Sequence, residues 1–290
     1  MRKGLRSLTT FDYVNYLIIG ILCLVFIYPV LITLAIAVSD PAIPGKITLI
    51  PHGFTLDSFS FLLHDARIIR YYLNSVFYAL SGTLVFLFFT SLMAYPFIIP
   101  TFKGKKVINL FMVITMFFSG GLLPYYFLIL NLHMTNTIWV MIIPGAVSAY
   151  NVIIFRTFFS SIPGELRESA YIDGARHFTI LFRIIIPISK PLLATFALFS
   201  MVAKWNDFFT PMIFMRSDAL MPIQIFLRKI LVLLDFRDAQ NRDLQMIYSA
   251  ITSRSTKCAA VIITIIPIMC VYPFLQKHFA KGIMVGALKA

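Results

Sequence analysis

PGELRESAYIDGARHFTILFRIIIP, Pro163 to Pro187, is a polar segment set between two long apolar runs, and the rest of the chain can be placed relative to it. Pro163 suits the first turn of a helix, where its missing N–H leaves nothing unpaired, and Glu165 in that turn complements the positive end of the helix dipole. Gly174 interrupts the helix, since a residue without Cβ can turn the chain at positive φ or let another backbone approach closely. Beyond it Phe178, Leu181, Phe182 and Ile185 recur at i, i+3, i+4 and i+7, the spacing of an amphipathic helix. The pattern predicts a short helix, a kink and a second helix lying under a membrane. Charge alone also fits a plain solvated loop, kept in water by Arg167, Glu168, Asp173 and Arg176.

The surroundings are membrane-like. Hydrophobic residues make up 59% of the chain and charged ones 13%, against roughly 45–50% and about 25% in soluble domains. Several apolar runs reach the ~20 residues that cross ~30 Å of hydrocarbon as a helix. They are continuous rather than alternating, which excludes barrel strands and leaves helices as the spanning element. The expected fold class is all-α: one polytopic transmembrane domain over residues 1–290, with six spans at about 14–38, 72–99, 107–130, 137–159, 191–215 and 258–275. The third contains Gly120-Gly121 and Pro124 and should be bent or interrupted near its outer end; the fourth carries Pro144-Gly145. Met1 to Asp12 holds Arg2, Lys3 and Arg6 ahead of the first run, and Ala35-Ile36-Ala37 looks like a signal cleavage site. The run is too long for a signal h-region, so it reads as an uncleaved first span.

The formal net charge is +13. In a membrane protein a basic balance reports cytoplasmic loops, and no basic, aromatic-interleaved soluble segment exists to bind a strand, which excludes nucleic acid. With both termini inside, the inner segments carry 13 Lys and Arg against 10 in the outer ones, a modest bias carried by the short loops, where the rule applies best. This orientation puts residues 163–187 inside and the polar stretch from Arg216 to Lys257 outside. Cys23, Cys258 and Cys270 lie in or beside apolar runs without a C-x-x-C or Cys/His cluster, so they read as packing residues, and no metal site is expected.

Glu168-Ser169-Ala170, three residues, Gly174, nine residues, then Ile184-Ile185-Ile186-Pro187 resembles the EAA loop of bacterial ABC importer permeases, E-A-A-x3-G-x9-I-x-L-P. Ser169 stands for the second Ala and Ile186 for the Leu, changes that leave spacing and helix pattern intact. Trp205-Asn206-Asp207-Phe208 is similar to the W-N-[DE]-F pattern of the sugar-importing branch, the maltose-type second permease. Lys281-Gly282-Ile283-Met284-Val285-Gly286-Ala287-Leu288-Lys289-Ala290 resembles that branch's closing K-G-[LIM]-x-x-G-[AS]-[VL]-K-G, with Ala290 for the last Gly. Ser119 to Tyr125 and Tyr272 to Gln276 look closest to a sub-branch importing oligosaccharides cut from polysaccharides.

The resemblance implies a division of labour: a heterodimer with a second permease, two cytoplasmic ATPase subunits, an extracytoplasmic substrate-binding protein, and an oligosaccharide as cargo, in a bacterial cytoplasmic (inner) membrane. It also implies that Glu168, Ser169, Ala170, Asp173 and Gly174 form a cytoplasmic coupling helix seated in the ATPase. This chain has no G-x-x-x-x-G-K-[ST] phosphate loop and no H-E-x-x-H, so it is not expected to be an enzyme or to hold a cofactor; ATP and Mg belong to the partner ATPase.

Lys204, Trp205, Asn206 and Asp207 are the candidates for the substrate pathway. Lys204 falls near the middle of the fifth span, where an ionisable group is unfavourable by about 3 kcal/mol or more and is by default functional. Two readings stand. Either Lys204 pairs with Asp207 at i, i+3 or faces a water-filled cavity, or it meets a carboxylate of an acidic, uronate-containing oligosaccharide. Trp205, Tyr95 and Tyr150 could stack on sugar faces, although such aromatics more often pack or anchor at interfaces. The outer stretch, with Arg228, Lys229, Arg237, Arg242 and Arg254 beside Asp235, Asp238 and Asp243, suits either a docking surface for the binding protein or a solvated connection. The rivals are a stand-alone secondary transporter or channel, disfavoured by the lack of an inverted repeat and of further mid-membrane charges, and an ABC permease for a non-sugar solute.

Overall fold

A computed structural model describes residues 9–40, 49–51, 53–232 and 254–287, with side chains described as far as Cys270. Among the described residues the regular structure is helix, joined by turns and irregular connections, with one isolated antiparallel bridge, Ser39 with Phe54. The chain falls into two compact units, Met1–Ala66 with Lys229–Ile265 and Arg67–Arg228 with Ile266–Ala290.

In the first unit α1 runs from Thr10 to Ala37. Its start is fixed by Asp12, whose carboxylate accepts the Thr9 N–H at 2.7 Å and the Thr9 hydroxyl at 2.8 Å, satisfying a donor that the helix leaves free. Its apolar surface is exposed all round, the pattern of a helix made for lipid rather than for a soluble core. The chain then turns through the Ser39–Phe54 bridge into α2, Asp57–Leu63.

The second unit contains residues 67–228, and with them the motif segment 163–187. Helix α3, Ala66–Ala94, continues as a 3-10 turn over Tyr95–Ile98 because Pro96 has no N–H to extend the α ladder. Together they form an unbroken helical run of 33 residues, long and apolar enough to cross a membrane. The expected third span is two helices, α4 (Lys105–Phe117) and α5 (Leu122–Asn131), meeting at 117°. The break is where the sequence places it: Phe118 is extended and Gly121 has φ +81°, a conformation open to glycine. The expected fourth span is likewise broken, into α6 (Trp139–Ile142) and α7 (Ala149–Ser160), around Pro144-Gly145.

Polar α8 (Glu165–Ile172) follows, then α9 (His177–Ile180), a π turn over Leu181–Ile185 and α10 (Ile186–Ile188). The chain bends by 82° into α11, Lys190–Trp205. The fifth span, expected to run unbroken over 191–215, stops at Trp205 and resumes as α12, Phe209–Phe214. Helix α13 is Ile223–Val232, and α14, Arg254–Ala287, covers the expected sixth span.

A core of Tyr95, Phe97, Val152, Phe155, Ile180, Leu181 and their neighbours ties the end of α3 to α7 and α9. Arg156 of α7 reinforces it, donating to the Asn109 side chain at 2.6 Å and lying over the Phe97 ring at 5.8 Å. At the other end of α3, Asn74 donates to the carbonyls of Ala219 and Met221, Tyr78 to that of Leu220, and Ser75 accepts the Ile223 N–H. The start of the stretch read as a polar outer connection is therefore pinned along α3, with Met221, Ile223 and Ile225 buried. The charges Asp235, Arg237, Asp238, Arg242 and Asp243, and the side chains of the closing K-G segment, lie outside the described residues.

Candidate functional site: a coupling loop and a polar cavity

Helix α8 begins with Glu165 and Glu168 in its first turn, favourable against its positive end. It closes on Gly174 at φ +79°. The Gly174 N–H bonds the Tyr171 carbonyl at 3.0 Å and the Ala175 N–H bonds the Ala170 carbonyl at 2.9 Å. This pair is a Schellman cap, the stop that glycine stabilises best. The five residues of the motif divide by face. Ala170 is buried in the core, while Glu168, Ser169, Asp173 and Gly174 are exposed, together with the apolar Ile172 at 86% exposure.

Arg167, taken from the sequence as a solvating charge, has a different place. Half-buried, it donates from its guanidinium to the carbonyl of Ile98, the last residue of the turn that ends α3. Arg167 and Ala170 are at i, i+3 and so share the inward face of α8. A second tie runs beside it: the Tyr171 hydroxyl lies 2.6 Å from Nδ1 of His177, and the Tyr95 hydroxyl 3.5 Å from the same atom. Tyr95, considered above as a sugar-stacking ring, is a buried member of this inner cluster.

The amphipathic face expected after Gly174 is only half realised. Leu181 and Ile185 are buried with Ile180, while Phe178 is exposed and Phe182 lies partly exposed, stacked on Phe88 at 6.0 Å. The π turn over Leu181–Ile185 widens the helix and rotates the inward set away from a strict 3.6-residue period. One side of the segment is thus packed into the core.

Between α3, α5, α6, α7 and α11 lies a cavity of about 680 Å³, within the size range of small-molecule sites. Its polar groups come from Tyr125, Tyr150, Asn151, Ser200, Lys204 and Asp207, set among aromatic rings such as Phe86 and Phe199. The side-chain hydrogen bonds of Lys204 and Asp207 go elsewhere, although the two charges stand near enough to attract each other. The Lys204 ammonium donates to the Met141 carbonyl at 2.9 Å, one of the orphan acceptors at the end of short α6, and Asp207 accepts the Thr210 N–H at 3.0 Å at the start of α12. The i, i+3 geometry fails because α11 ends at Trp205, between the two residues.

The other two candidates turn elsewhere. Trp205 is buried, edge-on to Tyr72 at 5.4 Å, and lines a separate apolar cavity of about 130 Å³ with Leu198 and Pro267. Asn206 is exposed and accepts from Gln224 at 3.3 Å. Sequence reading missed Met141, Tyr125 and Asn151. The Pro144-Gly145 break was the available signal, since a helix interrupted at membrane depth is tolerated where it is buried in protein or lines a cavity.

The site comprises a polar cavity lined by interrupted helices and a capped polar helix beside the end of α3. A family described as the binding-protein-dependent transport system inner membrane component matches residues 71–285. The chain is 38% identical to Protein LplC of Bacillus subtilis (strain 168), over 96% of its length and 95% of that protein's. It is 34% identical to the polygalacturonan/rhamnogalacturonan transport system permease protein YtcP of the same organism, over 96% and 98%. Among solved structures it is similar to a chain of a bacterial ABC transporter involved in the import of the acidic polysaccharide alginate, with a TM-score of 0.84, 28% identity and coverage of 96% of this chain and all of that one. The chain belongs to the inner membrane components of binding-protein-dependent transport systems, the non-catalytic permease subunits of ABC transporters.

Proposed function

We propose that this chain is one half of the permease pair of an ATP-driven importer of acidic, uronate-containing oligosaccharides in the bacterial cytoplasmic membrane. The observation that carries the substrate class is Lys204: an ammonium in the last turn of α11, on the wall of a cavity whose hydroxyls, amide and aromatic rings suit a sugar. Two relatives support it, one named for polygalacturonan and rhamnogalacturonan and one structure described for alginate import. Six spans with both termini inside put α8 in the cytoplasm, where Glu168, Ser169, Asp173 and Gly174 face an ATPase subunit that binds ATP and Mg. Closure of two such subunits moves α8, and the attached helices carry the cavity from one side of the membrane to the other. An extracytoplasmic binding protein delivers the sugar.

Lys204→Gln tests the substrate class. Uptake of trigalacturonate is expected to fall by about tenfold or more, the worth of a hydrogen bond to a charged group, while uptake of its methyl-esterified, neutral counterpart is unchanged. Equal loss of both would show that Lys204 serves the structure alone, through Met141.

A further inference from the structure

Gly82 lies on α3 between Ser81 and Thr83, and nothing in the family match or in the relatives' names assigns it a role. The side chain of Lys204 passes directly over it. A Cβ built at Gly82 would stand 2.3 Å from Cδ and 2.4 Å from Cε of Lys204, and 3.0 Å from Nζ. The first two are closer than a Cβ comes to any non-bonded atom, so the Lys204 stem occupies the space that any other residue at position 82 would fill. The ammonium, guided along this slot, reaches the Met141 carbonyl at 2.9 Å and stays within the cavity wall. A Cβ at Gly145 would be 3.6 Å from Nζ, an ordinary contact, so the tight restriction comes from α3. Next to the slot, Thr83 and Ser200 share a hydroxyl hydrogen bond of 3.0 Å that fixes α3 against α11, so the two helices cannot part easily to make room.

We propose that Gly82 is a specificity-determining residue: its missing side chain opens a slot across α3 that holds the stem of Lys204 and sets where the ammonium meets an anionic sugar. The inference rests on the substrate reading given above. The colliding atoms are the outer half of a flexible side chain, so Gly82→Ala displaces Lys204 rather than the backbone, and the variant is expected to insert and assemble. Displacement moves the cation while leaving the rest of the cavity in place. The consequence is a change in preference between acidic and neutral cargo, which a merely structural glycine would not produce.

The test is a double-substitution cycle in the complete transporter, made of wild type, Gly82→Ala, Lys204→Ala and the pair, with uptake of trigalacturonate and of its methyl-esterified counterpart measured for each. Gly82→Ala is expected to lower trigalacturonate uptake by about fivefold while sparing the ester, and to have no further effect once Lys204 is alanine, the non-additivity of residues in contact. If Gly82→Ala is poorly inserted, recovery of its membrane level by Lys204→Ala supports the slot equally, and failure to recover counts against it. Loss of both sugars alike, or the same fivefold loss in the Lys204→Ala background, would overturn the role of Gly82 while leaving the substrate reading intact. A Lys204→Ala variant with an unchanged preference would remove the substrate reading, and Gly82 as a specificity residue with it.

Discussion

Gly174→Trp is expected to stop transport while the chain still reaches the membrane. Gly174 closes α8 at φ +79°, where an L residue is unfavourable by roughly 1–2 kcal/mol. That penalty is too small to unfold a polytopic bundle, and no other atom lies within 4 Å of a Cβ placed there. Packing within the chain therefore does not forbid a side chain; the space beside Gly174 is open to whatever docks on α8. A bulky group fills that space and also loosens the paired carbonyl bonds to Tyr171 and Ala170 that aim the helix. Gly174→Ala, which carries the backbone strain with little bulk, separates the two effects and is expected to retain part of the activity. Uptake together with the amount of protein in the membrane checks both variants, and normal uptake by Gly174→Trp would show that nothing docks at this position.

Arg167→Ala is expected to uncouple the transporter, lowering uptake by about tenfold at an unchanged rate of ATP hydrolysis in the assembled complex. Arg167 joins the inward face of α8 to the Ile98 carbonyl at the end of α3, and α3 runs on to Gly82 and the cavity wall. A charge-assisted hydrogen bond of this kind contributes roughly 1.5–3 kcal/mol, and its loss leaves a half-buried carbonyl without its donor. Without it α8 can shift while α3 stays behind, so motion at the loop is no longer delivered to the span. Arg167→Lys keeps the charge and part of the reach and is expected to recover a fraction of the coupling. Cargo moved per ATP hydrolysed, measured with the complex in proteoliposomes, decides the matter: an unchanged ratio for Arg167→Ala would mean that α8 drives the spans through α7 and α9 alone.

Local chemistry made part of this fold legible in the sequence. Gly120-Gly121, Pro144-Gly145 and Gly174 each fix the backbone where they stand, and the breaks fall at all three. The motif spacing located α8, and hydropathy located α1, α3 and α14. What the sequence concealed depends on partners far along the chain. Arg167 meets Ile98 across 69 positions, and Lys204 meets Met141 across 63, so neither bond leaves a local signal. Gly82 looks like any small residue in an apolar helix until Lys204 is laid over it. Lys204 and Asp207 suggest a helical ion pair by spacing, yet α11 ends between them. The face containing Phe178 and Phe182 was read with a 3.6-residue period that the π turn does not keep.

The central claim is that α8 and the cavity belong to one ATP-driven assembly, and purification of this chain from its native membranes in mild detergent tests it most directly. One second permease and two copies of an ATPase are expected to co-purify with it. Recovery of the chain alone or as a homo-oligomer, still moving solute without ATP, would contradict the account.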